Sequence, residues 1–375
     1  MSEALTGLEL RSMVTSGGEL QLSLAEVSLD APGPDEVIVQ VEASPINPSD
    51  LGLLLGPADL STMKAGGTAD RPTLTATIPP QRMPAMAARL DQAMPVGNEG
   101  AGTVVQAGEN ARHLIGKKVG MIGGAMYTQY RKLPARDVIV LPEGASAADG
   151  ASMFVNPLTA LGFVETMRAE GHKAIVHTAA ASNLGQMLNK ICLADGIPLV
   201  NIVRSAEQAE ILRGIGATHI VDSSAPDFEA ALADAIAETG ATLGFDAIGG
   251  GKLAGQILNA MEIAANRSGA GYSRYGSTTY KQVYIYGMLD YGPTILNRAF
   301  GMAWGLGGWL LTPFLMKAGQ DVAVRLRQRV ADELKTTFAS KYTATISLAD
   351  VLRPEIVEAY QRKTTGEKYL IDPSL

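Results

Sequence analysis

The hydrophobic and polar positions of the chain follow two different patterns, which change near residue 156. Residues 1–155 alternate apolar and polar positions in short runs separated by Gly and Pro, as in EVIVQVEASPINPSD, AGTVVQAG and DVIVLPEG. Alternation with a period of two and turn residues at this spacing predicts a compact, partly barrel-like β domain. Over residues 156–335, long helical runs lie between short apolar strands, which indicates a parallel sheet covered on both faces.

Five apolar segments are predicted to form this parallel sheet, with enough chain between them for crossover helices. They are Ala174–Thr178, Leu199–Val203, His219–Val221, Leu243–Ala247 and Gln282–Gly287. The last residues, 336–375, predict a strand, a helix and a strand that pack back on the first domain. The sequence therefore predicts an α/β protein with a doubly wound parallel sheet and a second, mostly β domain.

Three segments interrupt this plan. Pro57–Pro95 is rich in Ala, Met, Thr and Pro, and Asn266–Lys281 is a Gly/Ser/Tyr segment. Loops of this length are usually functional lids or mobile insertions, and the sequence leaves open whether these two act as lids. The apolar stretch Phe300–Met316 contains glycines and a proline and is short for a membrane span. We expect it to be a buried strand or helix, at a subunit contact.

Bulk composition restricts the function further. The chain has 375 residues, a net charge of −7 and no basic cluster, which argues against nucleic-acid binding. Cys192 is the single cysteine of the sequence, so neither an intrachain disulfide nor a thiolate metal cage can form. It falls on an apolar helix face and is interpreted as core. The N-terminal residues lack the pattern of an export signal, so a cytoplasmic protein is expected, with no membrane partner.

A small-residue turn follows the first predicted strand of the parallel sheet. Residues 179–186 read AAASNLGQ and lead into an amphipathic helix and a second strand, the layout of a Rossmann-type dinucleotide-binding βαβ unit. Ala180, Ser182 and Gly185 stand where the usual fingerprint has G-x-G-x-x-G. A pyrophosphate binds at such a turn because helix N-terminal N–H groups face it and small side chains allow its approach.

The end of the second strand indicates which nucleotide is bound. An enzyme that uses the unphosphorylated cofactor usually has Asp or Glu there, whereas this strand ends at Arg204 and Ser205. A guanidinium beside a hydroxyl suits the 2′-phosphate of NADPH, because the fork can donate two charge-assisted hydrogen bonds. The alternative is an arginine that only covers an exposed strand end.

Several phrases of the chain carry a family resemblance. They are INPSD at 46–50, VGNEGAGTVVQAG at 96–108, NPLTAL at 156–161, the AAASNLGQ turn and FDAIGG at 245–250. In this order they resemble the zinc-independent medium-chain dehydrogenase/reductases, and most of all quinone oxidoreductases and 2-enoyl-thioester reductases. The resemblance implies a GroES-like catalytic domain over 1–155, an NADP-binding Rossmann domain over 156–335 and a homodimer.

The resemblance also bears on metals. Zinc-dependent members of the superfamily carry a Cys early in the first domain and a His in Gly-His-Glu. Here the INPSD segment has no Cys, and Asn98 stands between Gly97 and Glu99. Because the four histidines are far apart in the sequence, no metal site is expected.

The resemblance assigns cofactor-binding residues, expected in a cleft between the domains. Ser182, Asn183, Leu184 and Gly185 would hold the pyrophosphate, and Arg204 with Ser205 the adenosine phosphate. Thr159 would lie near the nicotinamide ribose, Gly249 and Gly250 would let the cofactor pass over backbone, and Gly287, Met288 and Leu289 would meet the nicotinamide carboxamide. Each glycine could instead serve only a turn that needs positive φ.

Without zinc, the hydride acceptor must already be electron-poor, so a quinone or an alkene conjugated to a carbonyl is expected. Enoyl-thioester reductases of this family often have a proton-donating Tyr after the INPSD segment, and LGLLLGPADLSTM contains none. A reduced quinone can take its proton from water, which favours quinone reduction.

Asn47 is expected to hydrogen-bond the substrate carbonyl or the nicotinamide amide, or only to cap a turn. Tyr130 and Tyr127 are the nearest alternative proton donors, and Tyr272, Tyr275 and Tyr280 could stack on a planar acceptor. Two other functions stay open. They are reduction of a 2-enoyl thioester and an NADPH-binding scaffold without turnover.

Overall fold

The computed structural model describes residues 5–267, 273–362 and 365–375. The chain folds into two compact units. The first unit contains Met1–Val155 and Arg329–Leu375, and the second unit contains Asn156–Gln328. The chain therefore leaves the first unit once and returns to it.

The strands, in chain order, are β1 (Leu5–Val14), β2 (Glu19–Leu29), β3 (Glu36–Pro45), β4 (Asp59–Gly67), β5 (Pro72–Thr77), β6 (Met94–Pro95), β7 (Glu99–Ala107), β8 (Lys118–Ile122), β9 (Tyr130–Pro134), β10 (Val138–Val140), β11 (Ile175–His177), β12 (Leu199–Val203), β13 (His219–Asp222), β14 (Leu243–Asp246), β15 (Gly249–Gly251), β16 (Lys281–Ile285), β17 (Asp290–Thr294), β18 (Trp304–Gly308), β19 (Ala344–Ile346) and β20 (Tyr369–Ile371).

The α-helices are α1 (Leu51–Leu54), α2 (Ala147–Gly150), α3 (Val155–Ala169), α4 (Asn183–Asp195), α5 (Ala206–Ile215), α6 (Phe228–Thr239), α7 (Leu253–Arg267), α8 (Leu311–Ala318), α9 (Gln320–Asp332) and α10 (Pro354–Gln361). Short 3₁₀ segments cover Pro80–Arg89, Glu109–Leu114, Ala135–Asp137 and Asp350–Leu352. No helix in the described part of the chain is both long and apolar enough to span a membrane.

The first unit is mostly β, as the alternating pattern predicts. One sheet has the order β4-β5-β2-β1-β6, and the other has the order β10-β8-β7-β3-β20-β19, with β9 also paired to β3. The C-terminal strand β20 pairs antiparallel with β3 through Leu370 and Ile371. One core cluster joins Leu10 and Leu22 to Val357 near the C-terminus, because the returning chain covers the apolar side of the first sheet.

The second unit contains a six-stranded sheet of order β13-β12-β11-β14-β16-β18, in which every pair is parallel. In order of occurrence this is 3-2-1-4-5-6, the doubly wound dinucleotide-binding arrangement. The predicted α/β class with a parallel sheet and a separate mostly β domain is therefore confirmed. Strand order reverses between β11 and β14, where ligands bind in such sheets.

The structure corrects the interpretation of two interrupting segments. Pro57–Pro95 is not a loop throughout, because β4 and β5 form a hairpin that extends the first sheet beyond β2. Phe300–Met316 is not buried throughout, since it forms the edge strand β18 and the start of helix α8; Leu310, the N-cap of α8, is 65% exposed and Met316, on α8, is 79% exposed. A sixth strand at the sheet edge has one strand neighbour only, which explains its partial exposure.

The segment Asn266–Lys281 is described only in part. Helix α7 continues to Arg267, and Tyr272 lies outside the described residues. The later residues are fixed by a buried ion pair, in which Lys281 Nζ donates to Glu262 Oε2 at 2.7 Å, with side chains 0% and 5% exposed. The ammonium also donates to Ser277 Oγ at 3.1 Å and to the Thr279 carbonyl at 2.8 Å. All three N–H donors are satisfied, which a buried charge requires.

This ion pair predicts a stability change with pH. Burial acts to raise the pKa of Glu262, but hydrogen bonds from Lys281 and Ser277 outweigh it and lower the pKa to about 2. A carboxyl whose pKa is lower in the folded state stabilises the fold at neutral pH. We expect that contribution, about 3 kcal/mol, to be complete above pH ~4.5 and to disappear as the pH falls toward 2.

Removing the cation leaves a buried carboxylate without its partner. Lys281→Met is expected to lower the free energy of unfolding at pH 7 by about 3–5 kcal/mol in urea denaturation. Its acid-dependent loss of stability should also be smaller than that of the wild type. Lys252→Met, at an exposed lysine beside α7, is the control and should change stability by less than about 0.5 kcal/mol. Equal stability of the two variants would contradict this role of Lys281.

Candidate functional site

In the turn between β11 and α4, the backbone of Gly185 lies very close to the backbone of Ala180. A Cβ on Gly185 would lie 2.1 Å from the carbonyl oxygen of Ala180, so no larger residue fits there without a shift. Ser182 is the N-cap of α4, and its hydroxyl accepts a hydrogen bond from the Gly185 N–H at 3.2 Å. The small residues that the sequence placed in the fingerprint positions therefore form the start of one helix.

The turn also leaves donors available. Within the described chain, the backbone N–H groups of Ala179, Ala181 and Leu184 make no hydrogen bond. Ala179 has φ of +49°, a left-handed conformation that is rare for a residue with a side chain and that the sequence did not indicate. Unpaired N–H groups at a helix N-terminus form an anion-binding site. Asn183, next to the cap, is half-buried.

Helix α4 is held on β12 by two buried amides. Asn189 Nδ2 donates to Asn201 Oδ1 at 2.7 Å, and Asn201 Nδ2 donates back to Asn189 Oδ1 at 3.0 Å. Asn189 Nδ2 also donates to the Gly185 carbonyl at 2.9 Å. Because a buried amide must find partners, this pair fixes the helix in rotation and register against the strand.

Arg204 and Ser205 follow β12 directly. Arg204 is exposed, and its guanidinium makes no ion pair or hydrogen bond with the described residues. Its backbone N–H donates to Gln208 Oε1 at 3.1 Å. Ser205 is the N-cap of α5 and accepts from the Gln208 N–H at 3.3 Å. Ser205 therefore caps a helix, which the sequence did not indicate. The guanidinium of Arg204 has no such structural contact with the described residues of this unit.

A buried carboxylate organises the switch point of the sheet. Asp246 Oδ1 accepts from the Thr178 hydroxyl at 2.8 Å and from the Ile248 N–H at 2.9 Å, and Oδ2 accepts from the Gly249 N–H at 3.2 Å. Thr178 Oγ1 in turn accepts from the Ala247 N–H at 2.8 Å. These contacts tie the end of β11 to the chain after β14.

The glycines expected along the cofactor path lie beside one another. Gly249 has φ of +80°, and a Cβ on Gly287 would lie 2.6 Å from the Ala247 carbonyl oxygen. Both glycines are therefore required by local backbone geometry. Met288 and Leu289, which follow, are exposed, and the Leu289 N–H donates to the Ala247 carbonyl at 3.2 Å. Thr159 is buried on α3 in the same unit, and Gly250 lies in β15.

Behind this path lies an aromatic cluster that the sequence did not predict. His177 Nε2 and the Tyr286 hydroxyl share a hydrogen bond of 2.8 Å, and Phe163 stacks on Phe245 with ring centroids 3.9 Å apart. Burial lowers the pKa of His177 to about 3, so the ring is neutral at physiological pH. We expect this histidine to pack and orient, not to exchange protons.

In the first unit, Asn47 belongs to a buried polar network with Asp50 and Glu99. Asn47 Nδ2 donates to Glu99 Oε1 at 2.8 Å, and the Asn47 N–H donates to Asp50 Oδ2 at 2.8 Å. Glu99 Oε2 accepts from the N–H groups of Phe154 and Val155, both at 2.9 Å. Asn47 Oδ1 makes no hydrogen bond among the described residues, so the asparagine retains a free acceptor.

Burial raises the pKa of both carboxyl groups in this network. Burial raises the pKa of Asp50 to about 7, although N–H donors from Asn47 and Asn98 oppose the shift. Burial also raises the pKa of Glu99, and the positive charge of Lys368 is the main influence that lowers it. Since the two backbone N–H groups at Glu99 can bind only an acceptor oxygen, Oε2 stays an acceptor and the amide of Asn47 is oriented by Oε1.

Lys368 connects this network to a tyrosine. Lys368 Nζ donates to Ser152 Oγ at 2.8 Å, and Ser152 Oγ and the Tyr342 hydroxyl are 2.8 Å apart. The ammonium also lies 5.7 Å from the centre of the Tyr342 ring. None of these three residues was indicated by the sequence, because they are far apart along the chain and carry no motif.

The two tyrosines considered as proton donors differ. Tyr127 is fully buried and donates to the Pro45 carbonyl at 3.2 Å, which removes it as a donor to a ligand. Tyr130 is half-buried on β9, and its ring packs beside Gly7. No described cluster of three or more His, Cys, Asp and Glu side chains could hold a metal ion.

Comparisons with known proteins agree with this geometry. The family profile described as alcohol dehydrogenase GroES-like domain matches residues 33–143. A mitochondrial enoyl-[acyl-carrier-protein] reductase of Xenopus tropicalis is 29% identical over 213 residues, which are 53% of this chain and 51% of that protein. A quinone oxidoreductase of Pseudomonas aeruginosa is 29% identical over 133 residues, 34% of this chain and 41% of that protein. The chain thus spans about half the length of the curated relatives it matches.

A solved structure matches along the whole length. It is a Mesorhizobium loti protein, provisionally assigned as an NADPH:quinone reductase, with 26% identity, a TM-score of 0.74 and full coverage of both chains. The two-unit fold, the GroES-like match and these relatives agree with the resemblance carried by the sequence phrases. The chain thus has a GroES-like domain match at 33–143 and is similar to quinone oxidoreductases and enoyl reductases of the medium-chain dehydrogenase/reductase superfamily.

Proposed function

We propose that the protein is an NADPH-dependent, zinc-independent oxidoreductase that transfers hydride to a quinone or a similar conjugated carbonyl compound. The observation that carries the proposal is the turn from β11 into α4, where the backbone N–H groups of Ala179, Ala181 and Leu184 make no hydrogen bond in the described chain and can bind a pyrophosphate. The relatives named as quinone oxidoreductases and enoyl reductases support the same chemistry.

The residues of the second unit fit the cofactor. Ser182, Leu184 and the other residues of the turn would hold the pyrophosphate, and the exposed Arg204 would pair with the 2′-phosphate. Gly249 and Gly287 would lie along the cofactor, and the place that a Cβ would take at each is filled by neighbouring backbone, so local packing already requires both glycines. When bound, the reduced cofactor supplies a hydride.

Asn47 would contribute hydrogen bonds to a ligand. One of its N–H groups is bound by Glu99, whereas its Oδ1 is without a partner in the described chain. The second N–H of Nδ2 and the free Oδ1 are both left for a ligand, so this orientation is compatible with both expected roles, donation to a substrate carbonyl and a hydrogen bond with the nicotinamide amide.

The acceptor class is tested by direct comparison of substrates. With NADPH in excess, we expect kcat/KM for 1,4-benzoquinone to exceed that for crotonyl-CoA at least about 100-fold, a difference of ~2.7 kcal/mol in activation free energy. NADPH oxidation measured by absorbance gives both values. Faster turnover of the thioester would favour the enoyl reductase function that the Xenopus relative suggests. Saturable NADPH binding without turnover of either compound would favour a scaffold.

The cofactor preference rests on Arg204. Arg204→Ala is expected to weaken NADPH binding by about 1.5–3 kcal/mol, because a charge-assisted contact to the 2′-phosphate is lost. Binding of NADH, which lacks that phosphate, should change little. Fluorescence titration of both nucleotides measures the difference.

Arg213→Ala is the matched control. Arg213 lies near the end of α5 in the same unit and pairs with Glu210 on the same helix. We expect this variant to bind both nucleotides as the wild type does. Unchanged NADPH affinity in Arg204→Ala would remove the arginine from the cofactor site.

The homodimer is also proposed, with β18 and its neighbourhood as the contact. The strand lies at the edge of the six-stranded sheet, and Met302, Leu310 and Met316 are 75%, 65% and 79% exposed. An unpaired edge strand beside exposed apolar side chains suits a contact with a second copy.

Sedimentation velocity at micromolar concentration tests the dimer. We expect a species of twice the 39.3 kDa chain mass for the wild type and a monomer for Leu310→Asp. Leu193→Asp, at an exposed leucine on α4, should leave the dimer intact. A monomeric wild type would contradict the proposal.

A further inference from the structure

A side-chain hydrogen bond crosses one strand of the parallel sheet in the second unit. His177 lies in β11 and Tyr286 directly follows β16, and β14 lies between these two strands in the sheet. His177 Nε2 and the Tyr286 hydroxyl are nevertheless 2.8 Å apart. Because neighbouring strands are about 4.8 Å apart, the two side chains together reach across two strand spacings. The hydrogen bond therefore connects two strands that are not neighbours.

Aromatic side chains enclose this hydrogen bond. The side chain of His177 is fully buried, and its ring plane lies at 17° to that of Tyr286. Phe163 of α3 packs edge-on against Tyr286, with ring centroids 4.8 Å apart, and it also stacks on Phe245 of β14. Phe245 is the direct partner of His177 in the sheet register. Close packing on these sides restricts the rotamers of both hydrogen-bonding side chains.

Both partners stay neutral around physiological pH. Burial lowers the pKa of His177 to about 3. Burial, together with the negative charge of Asp246, raises the pKa of the Tyr286 hydroxyl above its ordinary value. A hydrogen bond between these two neutral groups is expected to persist from about pH 5 to pH 9. The pair can therefore hold a position, but it is not suited to exchange protons.

Tyr286 leads into a segment whose backbone is only partly paired. The N–H groups of Tyr286 and Leu289 donate to carbonyl groups at and just after the end of β14, at 2.9 Å and 3.2 Å. Between them, the N–H and carbonyl groups of Gly287 and Met288 make no hydrogen bond in the described part of the chain. A primary carboxamide complements such groups, because it both donates and accepts. The segment also lies at the carboxyl end of β16, where ligands bind in sheets of this type.

The other partner of the hydrogen bond lies close to the candidate pyrophosphate site. His177 is separated by Thr178 alone from Ala179, the first residue of the turn with unpaired N–H groups. The His177–Tyr286 hydrogen bond thus connects the strand that leads into this turn to the segment with unpaired amide groups. Backbone hydrogen bonds attach the same segment to β14. Together these contacts determine the distance between the turn and the segment.

We propose that His177 and Tyr286 are positioning residues that hold the Gly287–Leu289 backbone at the distance from the pyrophosphate turn that the nicotinamide half of the cofactor requires. This inference rests on the proposed function. The nicotinamide ring carries a carboxamide, and a displacement of its binding groups by about 1 Å is enough to weaken its contacts. The adenosine half binds at the other side of the turn and does not depend on this hydrogen bond.

Titration calorimetry with two ligands tests the proposal. One ligand is NADPH, and the other is 2′-phospho-ADP-ribose, which is the cofactor without its nicotinamide ring. Tyr286→Phe keeps the ring that packs on Phe163 and removes only the hydroxyl. We expect this variant to bind NADPH about fivefold more weakly and 2′-phospho-ADP-ribose within about twofold of the wild type, as the loss of one hydrogen bond implies. His177→Phe should give the same result.

Two further variants are the controls. Tyr284→Phe removes a tyrosine hydroxyl from β16 that donates to Glu170, also at 2.8 Å, and it should bind both ligands as the wild type does. His177→Gln retains an amide that can hydrogen-bond the Tyr286 hydroxyl, so its NADPH affinity should lie within about twofold of the wild type. The double variant with Phe at 177 and 286 should bind NADPH no more weakly than the weaker single variant, because both changes remove the same bond.

The ratio of the two affinities separates positioning from a general effect on folding. A fold that is only less stable would weaken the binding of both ligands equally, and that result would overturn the proposal. Unchanged NADPH affinity in Tyr286→Phe would overturn it as well. A wild type that binds neither ligand saturably would instead contradict the proposed function, and this inference with it.

Discussion

The close approach of the Ala180 carbonyl to Gly185 is the constraint on which the second unit depends. Gly185 has no Cβ, and a Cβ there would clash with Ala180. The chain can therefore turn directly from β11 into α4 and present the first N–H groups of the helix at the carboxyl end of the strand. The Asn189–Asn201 amide pair then fixes the helix on β12, and so sets where β12 ends. Arg204 is the first residue after β12. Its position at the carboxyl end of this strand is therefore a consequence of packing within the βαβ unit.

The first unit depends in the same way on one buried carboxylate. Glu99 binds Asn47 with one oxygen and the backbone of Phe154 and Val155 with the other. Burying a carboxylate without hydrogen-bond partners would lower the free energy of unfolding by several kcal/mol. This cost holds the donors of Glu99 in place. The positive charge of Lys368 supports the ionised form. One acidic residue thereby orients an asparagine and holds the start of α3.

Features that depend on residues close together in the sequence could be predicted, whereas features that depend on contacts between distant residues could not. The small-residue turn, the strands beside it and the end of the second strand at Arg204 could be predicted because their signals are local, lying within a strand, a turn and a helix of one βαβ unit. Glu99, Ser152, Tyr342 and Lys368 were missed as a set, since their contacts join distant parts of the chain. Glu99 stands two residues before the run AGTVV, and an acidic residue so close to an apolar strand is itself a signal of a buried polar contact.

The corrected interpretation of Pro57–Pro95 has the same origin. The segment 57–95 has no clear periodicity, yet β4 and β5 gain order by pairing with β2, which composition does not show. Ser205 stays a predicted cofactor contact, and its hydroxyl also caps α5 in the structure. Residues at element ends often serve the backbone first, because unpaired N–H groups there need acceptors.

The most direct test of the account is a crystal structure of the protein with NADPH bound. The account predicts the pyrophosphate within hydrogen-bond distance of the Leu184 N–H at the start of α4, with the adenosine 2′-phosphate in contact with the guanidinium of Arg204. A nucleotide whose phosphates lie away from this turn, or whose 2′-phosphate is met by other side chains, would contradict it.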